Sequence, residues 1–109
     1  MKLSIIISVL NSQEVVRRQL LHWEKVGLHK MDDVEIILID DGSDTPLHQE
    51  LELEIDIFLN LRIFETNDKR PWTVELARNL GARMAEGEYV LMTDIDYILP
   101  KKAIEAVRG

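Results

Sequence analysis

Tyr89-Val90-Leu91-Met92-Thr93-Asp94-Ile95-Asp96 is an apolar run that breaks off into two carboxylates one residue apart. The run reads as a buried strand and the acids as its end. Each acid carries a full negative charge at neutral pH beside a low-dielectric core, so something must compensate it. A hard divalent cation does this well, because closely spaced oxygen ligands suit Mg²⁺ or Mn²⁺. The segment is therefore a candidate for holding a metal against a substrate phosphate.

Working outward, Thr73–Ala85 precedes that strand as a helix with Val74, Leu76, Ala77, Leu80 and Met84 as its apolar face, and Glu86-Gly87 closes it. The strand itself spans Glu88–Thr93, and Pro100 stands where a last helix, Lys101–Arg108, would begin. At the other end of the chain, Leu3–Val9 is an unbroken, largely β-branched run, as expected of a strand buried on both faces. Ser12 is placed to cap a helix running to about Val26, with Val15, Val16, Leu20, Trp23 and Val26 as its apolar positions and Gly27 as its stop. Val34–Ile39 is a second apolar strand, ended by Asp40-Asp41-Gly42-Ser43. In Leu47–Leu59 the alternation of Leu51, Leu53, Ile55 and Ile57 with acids suits a strand, whereas the Leu-Glu-Leu-Glu composition suits a helix, the reading preferred here. Leu61–Phe64 reads as a short third strand and Asn67–Trp72 as a polar loop. Strands alternating with helices predict an α/β fold with an open, mostly parallel sheet flanked by helices.

Composition limits the function classes. The 109 residues suit a single domain, 1–109, and 46% apolar with 30% charged residues is ordinary for a globular protein. With no cysteine there is neither a disulfide framework nor a thiolate metal site, which permits a cytoplasmic setting. The apolar stretches, Leu3–Leu10 among them, are too short for a transmembrane segment. A net charge of −7 argues against nucleic acid as the main partner, but not against a nucleotide that brings its own cation.

In open parallel sheets, ligands bind outside the carboxyl ends of the strands, where the strand order reverses. Ser8–Asn11, Asp40–Ser43 and Asp94–Asp96 all occupy such ends, and they converge if the first strand lies between the second and the fourth. The plainer reading of Asp40–Ser43 is a turn in which Asp or Ser caps the next segment. Both acidic clusters at strand ends together favour a site.

Ser4-Ile5-Ile6-Ile7-Ser8-Val9-Leu10-Asn11, Ile39-Asp40-Asp41-Gly42-Ser43, Ala77-Arg78-Asn79-Leu80-Gly81, Gly87-Glu88-Tyr89-Val90 and Asp94-Ile95-Asp96 resemble, in order and spacing, the nucleotide-binding half of family 2 glycosyltransferases. The resemblance covers nearly the whole chain. It implies a Rossmann-like GT-A fold, a nucleotide-diphospho-sugar donor with a UDP-sugar favoured, Mn²⁺ or Mg²⁺, and sugar transfer with inversion. Ser8 and Leu10 would then flank the base or ribose, with Asn11 beside them in the nucleotide site. Asp41 would accept from a ring N–H of the base. Asp94 would lie near the ribose or metal, and Asp96 would ligate the cation bridging the phosphates. Arg78 would reach the phosphates or instead pair with Asp94 or Asp41, and Arg70 is a further candidate for the nucleotide. Two departures stand out: Leu10 occupies a place where the family often has a stacking aromatic, and Tyr97 one where a third acid often follows.

Inverting transfer also needs a carboxylate base for the acceptor hydroxyl. In the resembling family the base and the acceptor pocket lie well beyond the metal motif, and here the chain ends at Gly109. The expectation is donor and metal binding, with the acceptor part absent and transfer left to a complete enzyme. His22, His29 and His48 lie away from the strand ends and read as surface residues. A sheet ending at its fourth strand would leave an open edge, so self-association, as a homo-oligomer, is a reasonable expectation. Three rival readings are weaker. A receiver domain would carry its acid pair on the first strand and a lysine on a late one. A dehalogenase-type phosphatase would open with its paired acids. A non-catalytic nucleotide-binding or scaffold module would share the same fold.

Overall fold

The computed structural model describes residues 2–41, 43–45, 49, 51, 58–66, 74–95 and 101–108, with the backbone alone at 74–78, 94, 101, 103, 107 and 108. Arg70, Asp96, Tyr97, His48, the Asn67–Trp72 loop and most of Leu47–Leu59 lie outside the described residues.

The described elements run β1 (Leu3–Val9), α1 (Gln13–Lys25), a 3₁₀ turn (Leu28–Lys30), β2 (Val34–Asp40), β3 (Leu61–Glu65), α2 (Val74–Met84), β4 (Tyr89–Asp94) and α3 (Lys101–Arg108). The four strands form one parallel sheet in the order β3-β2-β1-β4. β1 is thus interior and hydrogen-bonded on both sides, and its apolar residues fall on both faces rather than alternating with polar ones.

Strand alternation sends side chains into two layers. Leu3, Ile5, Ile7 and Val9 of β1 and Val34, Ile36 and Leu38 of β2 meet Val16, Leu20 and Trp23 of α1, together with Leu51, Phe58 and Ile104 of α3. The opposite face is smaller, with Ile6, Ile37 and Ile39 packed against Leu80 of α2 and against Ala85. Each such fully buried aliphatic side chain contributes about 1.5–3 kcal/mol over leaving it in water.

α2 lies very close to the sheet. A Cβ on Gly81 would stand 2.4 Å from Cγ2 of Ile6, so only glycine lets the helix backbone settle there. The close approach also corrects one expectation. Gly81 faces the sheet, while Met84, one turn on, is exposed.

A polar cluster ties the α2–β4 connection to the sheet. Ser4 Oγ donates to Glu35 Oε2 at 2.5 Å, Arg62 Nη2 donates to Glu35 Oε1 at 2.5 Å, and the Glu86 amide donates to Oε2 at 2.7 Å. The Gly87 amide reaches Ser4 Oγ at 2.8 Å, and Arg62 also caps the Met84 carbonyl at 2.7 Å. Burial pushes the Glu35 carboxyl up, but the hydrogen bonds from Ser4 and the Glu86 amide, with the Arg62 guanidinium, outweigh it and hold the group below its ordinary value. Among the described residues β4 pairs on one side only and forms an edge of the sheet, with Tyr89, Val90 and Met92 exposed along it, which corrects the expectation of a buried strand there. Among the described residues no helix is long and apolar enough to cross a membrane.

Candidate functional site

The strand order reverses at β1, with β2 and β3 on one side and β4 on the other. The condition for the polar strand ends to converge is therefore met. Register makes it specific: Ser8 is the partner of Asp94 across β1 and β4, and Val9 is the partner of Asp40 across β1 and β2. The carboxyl ends carrying Ser8, Asp40 and Asp94 thus share one rim.

Hydrogen bonding continues past the strands and fixes the loops. The Asp41 amide donates to the Val9 carbonyl at 2.8 Å, and the Thr66 amide donates to the Asp40 carbonyl at 3.0 Å. Asp41 is buried, and its Oδ1 accepts from the Thr66 hydroxyl at 3.1 Å. Asp40 is also buried, and its Oδ1 accepts the Ser43 amide at 3.0 Å. The turn reading of Asp40–Ser43 is thus correct for Asp40, whose side chain closes the turn. Asp41 is the carboxylate held between the β1 and β3 ends.

The loop after β1 is clipped to the loop after β2. Asn11 takes a left-handed backbone, φ 47°, which asparagine tolerates better than most residues. Its amide donates to Ser43 Oγ at 2.9 Å, and its Oδ1 accepts the Asp44 amide at 2.9 Å. Gln13 Nε2 adds a bond to the Thr45 carbonyl at 3.0 Å. Leu10, just before this clip, is 53% exposed at the rim. Ser12 occupies the position before α1, but its hydroxyl donates to the Leu10 carbonyl at 2.8 Å and caps no helix amide. The left-handed turn at Asn11 redirects the chain there, which corrects the expected cap.

On the β4 side, Gln19 of α1 is buried and its Nε2 donates to the Ile95 carbonyl at 2.7 Å. Sequence reading passed over Gln19 and Thr66. Gln19 had a signal: it falls on the Val16–Leu20–Trp23 stripe, where a polar residue needs a partner. Thr66 had none, because its bond to Asp41 depends on strand order.

Of the expected site residues, Ser8, Leu10, Asn11, Asp41 and Asp94 come together on the rim. Arg78 lies on α2, where the backbone alone is described, and Arg70 and Asp96 lie outside the described residues. Among the described residues no group of three or more His, Cys, Asp or Glu side chains could hold a metal ion. The carboxylates that would hold a cation here are those of Asp94 and Asp96, both outside the described side chains. That sparse, all-oxygen set suits Mg²⁺ or Mn²⁺. His22 and His29 are half-buried rather than on the surface, with the His29 ring 5.6 Å from that of Phe58, remote from the rim.

Comparison with known proteins bears on the family and the fold. The sequence model described as Glycosyl transferase family 2 matches residues 4–108. The chain is 31% identical over 107 residues to the poly(ribitol-phosphate) beta-N-acetylglucosaminyltransferase TarS of Staphylococcus aureus, covering 96% of this chain and 18% of TarS. It is 30% identical over 104 residues to TarP of the same species, a poly(ribitol-phosphate) beta-N-acetylglucosaminyltransferase, covering 95% of this chain and 31% of TarP. The crystal structure of the 1–349 portion of S. aureus TarS in complex with UDP superposes with a TM-score of 0.78 at 28% identity, covering 99% of this chain and 31% of that one. The complex with UDP-GlcNAc gives a TM-score of 0.73 at 29% identity, covering 99% and 30%. The chain spans less than a third of the length of these relatives.

Proposed function

The chain belongs to glycosyltransferase family 2, and from that premise we propose that it holds a UDP-sugar through a divalent cation, Mn²⁺ or Mg²⁺, for inverting sugar transfer by the complete enzyme. The observation that carries the reading is the register of Ser8 with Asp94 where the strand order reverses, which sets the acidic end of β4 beside the end of β1. The binding of UDP and UDP-GlcNAc by TarS supports uracil as the base and makes UDP-N-acetylglucosamine the first donor to test.

In this reading Leu10 and Ser8 line the base and ribose, with Asn11 beside them. Asp41 accepts from a ring N–H of the base. Arg78 and Arg70 serve the phosphates. Asp94 and Asp96 supply the carboxylates for the cation, which when bound neutralises charge on the diphosphate leaving group. The protein's own part is placement. The pairing of β4 with β1 sets the backbone of Asp94 beside Ser8 before the donor arrives, which supports a site needing little reorganisation. The β4 edge, lacking a partner strand among the described residues, makes self-association part of the same reading. A clean monomer by sedimentation at high concentration counts against that part.

The deciding experiment is calorimetric titration of UDP and GDP, with and without Mn²⁺, into the wild type and Asp96→Ala. Binding that strengthens with Mn²⁺ and loses that gain in Asp96→Ala is the expected result. Undetectable binding, or binding indifferent to both metal and Asp96, defeats the reading. A second reading, a non-catalytic nucleotide-binding module, shares all of this geometry. Donor hydrolysis and transfer assays separate the two.

A further inference from the structure

α1 is set by Val16, Leu20 and Trp23, all buried in the main core. Gln19 lies on the same stripe and is itself 5% exposed, so its side chain leaves from a fixed helix into a packed interior. Burying an amide there is unfavourable unless it is hydrogen-bonded. Its Nε2 donates to the Ile95 carbonyl at 2.7 Å, across 76 residues of sequence. Ile95 directly follows Asp94, the last residue of β4, and its side chain packs partly buried against the same core.

The residue after Asp94 is therefore held twice, by its side chain in the core and by its carbonyl on α1. A carbonyl oxygen belongs to a rigid peptide plane, so fixing it fixes ψ of Ile95 and the direction in which the chain leaves the strand. Asp94 stays in register with Ser8 through the β1–β4 pairing, whereas a turn free to rotate at Ile95 would leave the direction of the chain beyond it unset. We propose that Gln19 is a positioning residue for the acidic end of β4, locking the turn after Asp94 to α1 so that the cation-binding corner is preformed. The inference rests on reading that end as the cation-binding corner, and it assigns Gln19 no contact with metal or nucleotide. Outer partners that orient metal ligands typically change metal affinity about 10–100-fold when removed.

The test uses Gln19→Met and Gln19→Leu, both apolar, of similar size and without a donor. Urea denaturation first establishes that each folds. UDP affinity is then measured with and without Mn²⁺, and the Asp94 and Ile95 backbone amides are followed by ¹⁵N NMR in the free protein. The expected result is a metal-free UDP affinity close to wild type, an Mn²⁺ enhancement reduced about tenfold or more, and broadened Asp94 and Ile95 signals. An enhancement kept in full with those amides unmoved overturns the proposal. So does an equal loss of affinity with and without Mn²⁺, which would indicate general structural damage. If the wild type itself shows no Mn²⁺ enhancement, the cation reading fails, and unmoved amides in the variants then dismiss Gln19 as well. Should neither variant fold, the wild-type Gln19 side-chain amide decides. Slow exchange and a coupling to the Ile95 carbonyl are expected, and fast exchange without coupling overturns the proposal.

Discussion

Replacing Gly81 with Ala sets two effects of known size against each other. In an open helix interior the change stabilises by about 1 kcal/mol, because glycine loses more backbone freedom on folding. Here the new Cβ would stand 2.4 Å from Cγ2 of Ile6 and 3.5 Å from Cγ1 of Ile39. Favourable carbon–carbon contact lies at about 3.5–4.0 Å, so the Ile39 contact is ordinary while the Ile6 methyl must retreat by roughly 1 Å. It has nowhere to go, since Ile6 is 1% exposed on a strand hydrogen-bonded on both sides. α2 must lift instead. Overpacking of this kind costs about 1–3 kcal/mol, and with the helix gain subtracted the expected net destabilisation is about 0–2 kcal/mol. Urea denaturation followed by far-UV circular dichroism measures it directly. A double-mutant cycle with Ile6→Ala sharpens the test, because that change removes the offending methyl and leaves Cβ of residue 6 at an ordinary 3.5 Å. Ile6→Ala alone should cost about 2–5 kcal/mol, and in the Gly81→Ala background at least about 1 kcal/mol less. A raised midpoint for Gly81→Ala, or strict additivity in the cycle, would refute the reasoning.

Three further outcomes follow from the same geometry. The folded Glu35 carboxyl lies below its ordinary value, so its contribution is complete above the unfolded value of about 4.3 and is lost as pH falls through the folded value. The stability gap between wild type and Glu35→Gln in urea should therefore narrow from pH 7 to pH 3.5, and a gap constant across that range counts against the network. Asn60 Nδ2 donates to the carbonyls of Leu28, Met31 and Val34 at 3.0, 3.1 and 2.9 Å, so Asn60→Ala should cost about 1–3 kcal/mol. Asn60→Asp, which turns an oxygen on those carbonyls, should be worse than Ala, and the reverse order in urea melts would dismiss the donor role. At the rim, Asn11→Ala removes the Asp44 acceptor and places a less tolerant residue at φ 47°, whereas Asn11→Gly removes the acceptor alone. Faster Asp44 amide exchange is expected in both and the larger loss of stability in Ala; equal stability would show that the left-handed backbone carries no strain.

What could be read from the chain and what could not divide along one physical line. β1 and β2 were legible because burial on both faces demands an unbroken apolar run, and a run is a local property. The β2 side of the rim was legible because Asp40 and Asp41 at the end of such a run conflict with their surroundings, and conflict also shows locally. Ser4 and Glu35 sit inside those same runs and raised no signal, because what makes a serine and a glutamate tolerable there is Arg62 and the amides of Glu86 and Gly87, brought close only by strand pairing. Gly81 misled the reading of α2 for the same reason. Helical periodicity assigned Met84 to the buried face, while the distance between helix and sheet is set by the residue with no side chain at all. Gln19 lies between these cases. Its place on the apolar stripe of α1 is a local conflict, yet its resolution, the carbonyl beside Asp94, appears only when β4 takes its position next to β1. A polar residue on an otherwise apolar helical stripe is thus as informative as an acid at a strand end: each marks a group whose partner the fold must supply.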